Sequence, residues 1–235
     1  MLEHLIHLDQ QMLLALNGSE STALDAFFLF VTRTSTWMPL LFVFLFLLFR
    51  NRPWREAIFV AVGLALVILV CDQFASTLCK PFFHRFRPSH EPMLEGLVDL
   101  VEGRRGGLYG FISSHAANTF GVFAYVSFYL RRHLVLVTLL LWACLSSYSR
   151  IYLGFHYPGD ILAGALFGLL AGYLVYRLLS FVCARWLQPL RPQWPVAPTI
   201  TGAQANPEGF ARIDAIILFA ATLITILVVG LLSFI

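Results

Sequence analysis

Six apolar stretches constrain this chain more than any other feature, at roughly residues 25–49, 56–79, 114–131, 134–150, 158–181 and 212–235. The hydrocarbon core of a bilayer takes about 20 apolar residues of helix, with a range near 17–25, so each stretch is long enough to cross one. Composition points the same way: only 12% of the 235 residues are charged, against about 25% in soluble domains. The expected fold is all-α, a polytopic membrane helix bundle with about six transmembrane helices in one domain over 1–235. A net charge of +3, with no basic patch interleaved with aromatics, gives no reason to expect a nucleic-acid partner.

Residues 2–16 carry Leu5, Leu8, Met12 and Leu16 at helical spacing, widened by Leu13, with His4, His7, Asp9, Gln10 and Gln11 between them. This is too polar to span and suits an N-terminal interfacial helix that stops at Asn17-Gly18. Thr22 and Asp25 are placed to cap the next helix. Residues 1–20 lack the three regions of a cleavable leader, so insertion is expected to rely on the first span. Arg131-Arg132-His133 joins the third and fourth spans as a tight hairpin, and Trp37 and Trp54 suit interfacial anchors. Prolines at 189, 192, 195, 198 and 207 mark 189–207 as an extended linker. Cys71, Cys79, Cys144 and Cys183 fit no zinc or redox spacing and read as small hydrophobes.

Arg50, Arg52, Arg55, Arg131, Arg132, Arg177, Arg185, Arg191 and Arg212 fall on one side of this topology, which the positive-inside rule makes cytoplasmic. The other side holds 80–113 and 150–158, with cations of its own at Lys80, Arg85, Arg87, Arg104, Arg105 and Arg150. Three short stretches there carry polar groups that are expensive at a membrane and therefore worth a chemical reading.

Lys80 and Arg87 lie seven residues apart just beyond the second span, bracketed by Pro81 and Pro88. A lysine point charge and an arginine fork suit phosphate oxygens, although single basic residues at a helix end also snorkel to headgroups. That plainer reading is given to Arg85. Ser113-Ser114-His115 opens the third span, where free helix N–H groups make an anion site and His115 could act as a general acid. Its plainer reading is a serine cap beside an incidental histidine. Ser149-Arg150 closes the fourth span, and His156 and Asp160 stand four residues apart at the start of the fifth. A carboxylate on one ring nitrogen fixes the tautomer and frees the other as a nucleophile; the alternative is an aspartate that only caps a helix.

Taken jointly, these stretches resemble the type 2 phosphatidic acid phosphatase superfamily of membrane phosphatases, with its pattern K-x6-R-P, P-S-G-H and S-R-x5-H-x3-D. The first motif is complete at Lys80, Arg87 and Pro88, and the third at Ser149, Arg150, His156 and Asp160. The second departs, with Ile112 for its proline and Ser114 for its glycine. The likeness covers roughly 56–181, the expected catalytic core. It implies that His156 attacks phosphorus and Asp160 orients it. It implies that His115 serves the leaving oxygen and then water, and that Lys80, Arg87, Arg150, Ser113 and Ser114 bind the phosphate. It implies no metal and no cofactor.

Residues 89–113 place Met93, Leu97, Leu100 and Val101 as for an amphipathic helix roofing the site, followed by a flexible stretch at Gly103, Gly106, Gly107 and Gly110. A roof at the interface favours a bilayer-anchored lipid phosphate as substrate. The first choice is undecaprenyl pyrophosphate. The alternatives are lipid A, phosphatidylglycerophosphate or phosphatidate, or a lipid phosphotransferase reaction. The expected location is a bacterial inner membrane with the site facing the periplasm or exterior. A transporter or a noncatalytic phosphate-lipid-binding protein is the reading from another class; Arg33 and Asp72, the charges lying within spans, are its meagre support.

Overall fold

The computed structural model describes residues 2–186 and 212–234, so the linker expected at 189–207 lies outside the described residues. Nine helices run through them: α1 Leu2–Leu16, α2 Thr22–Val31, α3 Met38–Asn51, α4 Trp54–Gln73, α5 Lys80–Phe83, α6 Ser114–Leu130, α7 His133–Tyr152, α8 Pro158–Trp186 and α9 Arg212–Leu232. There is no β-strand among the described residues, only one bridge between Phe86 and Tyr109.

Five helical stretches are long and apolar enough to cross a membrane: Thr34–Asn51, Trp54–Phe83, His133–Tyr152, Pro158–Cys183 and Arg212–Leu232. The sixth expected span is α6, whose 17 residues reach about 25 Å at 1.5 Å each. It packs inside the bundle against α4, α7 and α8. It ends where Arg131 turns left-handed (φ 52°) and returns its N–H to Ser127, making the expected hairpin into α7.

The first stretch, 25–49, is not one helix. α2 ends at Val31 and a 3₁₀ turn over Thr34–Trp37 leads into α3. Arg33 sits exposed in this break, over the Phe30 ring. Trp37 is no interfacial anchor: it is buried, and its indole donates to the Val31 carbonyl at 2.8 Å. The α2 cap is Ser21, one residue before the expected Thr22, while Asp25 instead accepts from the Tyr152 hydroxyl at 2.7 Å.

The close pairing of α6 and α8 positions the site. Gly164, Gly168 and Gly172 recur every four residues on α8, and a Cβ on them would run into the backbone carbonyls of Ser113, Ala117 and Gly121. Small residues let two backbones approach where lipid offers no hydrophobic drive. Leu162, Leu166, Leu170, Leu174 and Leu178 repeat at the same interval and are exposed, a face suited to lipid. Glycine inside and leucine outside thus set the rotation of α8, and with it the direction of Asp160.

The outer segment between α5 and α6 does not form the expected amphipathic helix. It holds three 3₁₀ turns, Pro88–His90, Pro92–Leu94 and Val101–Gly103. Pro88 and Pro92 remove N–H donors, and positive φ at Gly96, Glu102 and Gly103 breaks any longer repeat. Leu94 and Val101 are buried while Met93 and Leu97 are exposed. The Asn17 side chain pins the segment, accepting from the Asp99 N–H at 2.7 Å and donating to the Asp99 carbonyl at 3.1 Å.

Candidate active site

The strongest local constraint is the turn from α7 into α8. The Phe155 and His156 N–H groups both return to the Arg150 carbonyl. Pro158 starts α8 with φ preset, and Asp160 sits in its first turn, accepting from the Tyr157 N–H at 3.2 Å. Asp160 is 0% exposed and His156 1%. Four residues apart on this turn, they face each other with His156 Nδ1 and Asp160 Oδ2 at 3.4 Å.

The ring's tautomer follows from its surroundings. Nδ1 faces the Asp160 carboxylate, and the ring is also hydrogen-bonded to the Gly110 backbone. A Cβ on Gly110 would stand 3.1 Å from Asp160 Oδ2 and 3.5 Å from His156 Nδ1. Nδ1 therefore lies among acceptors and carries the proton, leaving the Nε2 lone pair free. Burial, then the positive field of Arg87, Arg150 and Lys80, holds the His156 ring well below the usual imidazole value, so it stays neutral.

The cations come from three elements. Arg87 is buried after α5; its Nε donates to the Tyr109 carbonyl at 3.2 Å and its Nη1 to the Phe155 carbonyl at 3.5 Å. Arg150, in the last turn of α7, donates from Nη1 to Thr32 Oγ1 at 2.7 Å and lies over the Phe155 ring. Its Nε is buried without a hydrogen-bond partner among the described residues, an open donor beside the histidine. Lys80 follows a π turn at Phe74–Cys79, a widening often found at functional sites. Its Nζ lies 3.3 Å from Ser76 Oγ and 3.4 Å from Ser114 Oγ.

Ser113 does not present its amide to a phosphate. That N–H donates to the Asp160 carbonyl at 3.1 Å, and the Ser113 hydroxyl caps α6 by accepting from Ala116. Of the serine pair, Ser114 remains beside Lys80. His115, one residue on, is hydrogen-bonded to the Thr32 backbone. It also lines a partly open cavity of about 240 Å³ whose walls include Phe44, Leu64, Val122, Leu139 and Trp142.

Four residues of this neighbourhood lay outside the sequence reading of the site. Thr32, at the α2–α3 break, holds Arg150 and His115 together. Gly110 admits the close approach of Asp160 and His156. Arg85, read above as a snorkelling cation, donates from Nη1 to Asp160 Oδ1 at 2.8 Å and from Nη2 to Asp9 Oδ2 at 2.7 Å. Asp9 comes from α1. The R-x-R pattern at Arg85 and Arg87 and the carboxylate of Asp9 midway along α1 were the available signals.

A neutral histidine with one free nitrogen, walled by Lys80, Arg87 and Arg150 at the end of a helical membrane bundle, defines a class: membrane enzymes that transfer a phosphoryl group from an anionic ester. The chain belongs to the PAP2 superfamily, whose family model matches residues 56–184. It is 38% identical over 196 residues to the lipid A 4'-phosphatase of Porphyromonas gingivalis, covering 83% of each chain. It is 39% identical over 186 residues to the lipid A 4'-phosphatase of Bacteroides thetaiotaomicron, covering 79% of this chain and 83% of that one. The fold is shared with the crystal structure of a transmembrane PAP2-type phosphatidylglycerolphosphate phosphatase from Bacillus subtilis, at a TM-score of 0.58 and 21% identity over 76% of this chain and 88% of that one. The chain is thus an integral membrane lipid phosphatase of the PAP2 type.

Proposed function

We propose that this enzyme removes a phosphate monoester from the acylated sugar headgroup of lipid A. The single observation that carries this reading is the pair of relatives just described, both lipid A 4'-phosphatases and both matched over most of their length. Undecaprenyl pyrophosphate, the first choice from sequence, finds no such support. The cavity lined by His115 suits the acyl part of a lipid substrate, because its walls are mostly apolar.

The chemistry uses the groups in the places described. His156 Nε2 attacks phosphorus, the N–P bond forms and the sugar P–O bond breaks. His115, protonated once the bound phosphate offsets the cations around it, gives that proton to the departing sugar oxygen. Asp160 holds the Nδ1 proton and offsets the positive charge that grows on the ring. Lys80, Arg87 and Arg150, with Ser114, neutralise the phosphoryl oxygens as charge spreads over them. Water then attacks phosphorus while His115 takes its proton; the N–P bond breaks and inorganic phosphate leaves. The donors around His156 are cationic, which favours a phosphate and opposes a bound metal ion, so the reaction is metal-independent. The whole chain, 1–235, works as one catalytic domain around the core at 56–181. Arginines at the α3–α4 and α6–α7 turns favour a site facing the periplasm across a bacterial inner membrane.

The test is phosphate release from lipid A by the purified protein in detergent with EDTA, beside undecaprenyl pyrophosphate, phosphatidylglycerophosphate and phosphatidate. Lipid A is expected to be fastest, with release surviving EDTA and vanishing in His156→Ala. Faster release from another lipid would overturn the substrate, and undiminished release by His156→Ala would overturn the mechanism.

A further inference from the structure

We infer that Arg85 and Asp9 form a positioning pair that aims the Asp160 carboxylate at His156, so that the N-terminal helix completes the active site. The inference rests on the reading of His156 as nucleophile and concerns residues that the family's three motifs do not specify.

The two oxygens of Asp160 have separate duties. Oδ2 accepts from the Tyr157 N–H and faces His156 Nδ1. Oδ1 accepts from Arg85 Nη1 at 2.8 Å. Rotation about Cβ–Cγ would swing Oδ2 away from the ring, and the short bond to Arg85 on the opposite oxygen prevents it. Arg85 is fixed in turn from two directions. Its guanidinium lies over the Tyr157 ring, 4.1 Å from the centroid, and its Nη2 donates to Asp9 Oδ2 at 2.7 Å. A planar fork with two outward N–H directions suits this bridge, and an ammonium does not reproduce it.

Asp9 closes the circuit. Its Oδ1 accepts from the Gly159 N–H at 2.7 Å, in the first turn of α8 and next to Asp160 in the chain. One carboxylate therefore holds both the cation that orients Asp160 and the helix end that carries it. Leu13, one turn along α1, is fully buried with Leu94, Ile151 and Tyr157 and anchors the same face. Leu5, Leu8, Met12 and Leu16 point away and are exposed. The side of α1 that carries Asp9 and Leu13 is its docking side.

The experiment compares full-length wild type, Asp9→Asn, Arg85→Gln, Arg85→Lys and the double variant Asp9→Asn/Arg85→Gln in detergent. Two readouts are taken: steady-state release of phosphate from lipid A, and the ¹⁵N shifts of the His156 ring, assigned by their absence in His156→Ala. Thermal melts confirm that each variant is folded. Asp9→Asn is expected to lower kcat by about tenfold with KM within about twofold, the mark of an aiming defect. Arg85→Gln loses more, and Arg85→Lys recovers part of that loss. The double variant is expected to match Arg85→Gln alone, because Asp9 acts through Arg85. In the ring spectra, wild type shows the Nδ1–H tautomer, and Asp9→Asn and Arg85→Gln show a mixture. An unchanged tautomer in folded Asp9→Asn and Arg85→Gln would overturn the pair, as would a rise in KM at constant kcat or fully additive losses. If wild type releases no phosphate from lipid A, the proposed substrate fails, and the ring spectra still decide the pair.

Discussion

The α6–α8 core and the N-terminal arm of α1 and α2 build the same site by opposite means. In the core, functional groups follow from short-range geometry. His156 and Asp160 share the turn from α7 into α8, and Ser113 caps the helix that carries His115. The glycine row of α8, packed on the α6 backbone, brings these ends together. The arm carries none of the motif residues. It contributes Asp9 and Thr32, which reach Gly159 and Arg150 across 150 and 118 positions of sequence. The core supplies reacting groups, and the arm holds them in place. Damage to the core should abolish chemistry in a fold that stands, whereas damage to the arm should weaken either turnover or phosphate binding by a step or two.

The sharpest blow to the core short of removing a reacting group is Gly110→Ala. The added Cβ would stand 3.1 Å from both Arg87 Cγ and Asp160 Oδ2, so one of them must yield. Displacements of this kind in a reacting array cost up to about 100-fold in rate. The expected result is that loss in kcat with an unaltered melting temperature. An alanine at Gly110 with full activity would show that the Asp160–His156 approach has slack and that aiming by Arg85 matters less than argued.

How much could be read from the sequence divides along the same line. Lys80, Arg87, Arg150, His156 and Asp160 were legible because helix ends and fixed intervals place them, and six apolar runs were enough to foresee a helical membrane bundle. Asp9 and Thr32 were not, because no local period tells which distant group a side chain will meet. The break at Val31 was legible only as a kink. Arg33 and Pro39 interrupt an otherwise continuous apolar run, yet only packing decides that the turn at Thr34–Trp37 buries Trp37 and sends Thr32 to Arg150. The outer segment misled in the opposite direction: its amphipathic period was real, but Pro88, Pro92 and the left-handed positions at Gly96 and Gly103 outweighed it.

A blow to the arm of middling size is Thr32→Val, which keeps the shape and removes the hydroxyl that accepts from Arg150 at 2.7 Å. Arg150 would stay buried with one hydrogen bond fewer and freer to move, at a cost of about 1–3 kcal/mol. Because His115 is held by the Thr32 backbone, which valine retains, the loss should fall on phosphate binding. The expected kinetics are a KM raised by about tenfold and a nearly constant kcat, the reverse of the pattern expected for Asp9→Asn. A loss confined to kcat would move Thr32 into the aiming group with Asp9.

Acid pH offers the smallest effect and separates the two regions without a mutation in the arm. Arg85 does not titrate: burial alone would lower its pKa, but the charges of Asp160 and Asp9 and the Asp9 hydrogen bond raise it further. The Arg85 charge of the aiming pair therefore persists on acidification. His156 behaves differently, since burial and the cations hold its folded-state pKa below the unfolded value of about 6.5. Above that value neither state takes up a proton and the group has no effect on stability. As pH falls below it, the unfolded chain binds a proton that the buried ring refuses. Stability then drops by up to about 1.4 kcal/mol per unit until the folded-state value is reached. Melting temperatures in detergent should decline below pH 6.5 for wild type and less steeply for His156→Gln. A decline as steep in His156→Gln as in wild type would show that the buried ring does not resist a proton, and the case for a histidine kept ready at Nε2 would fall with it.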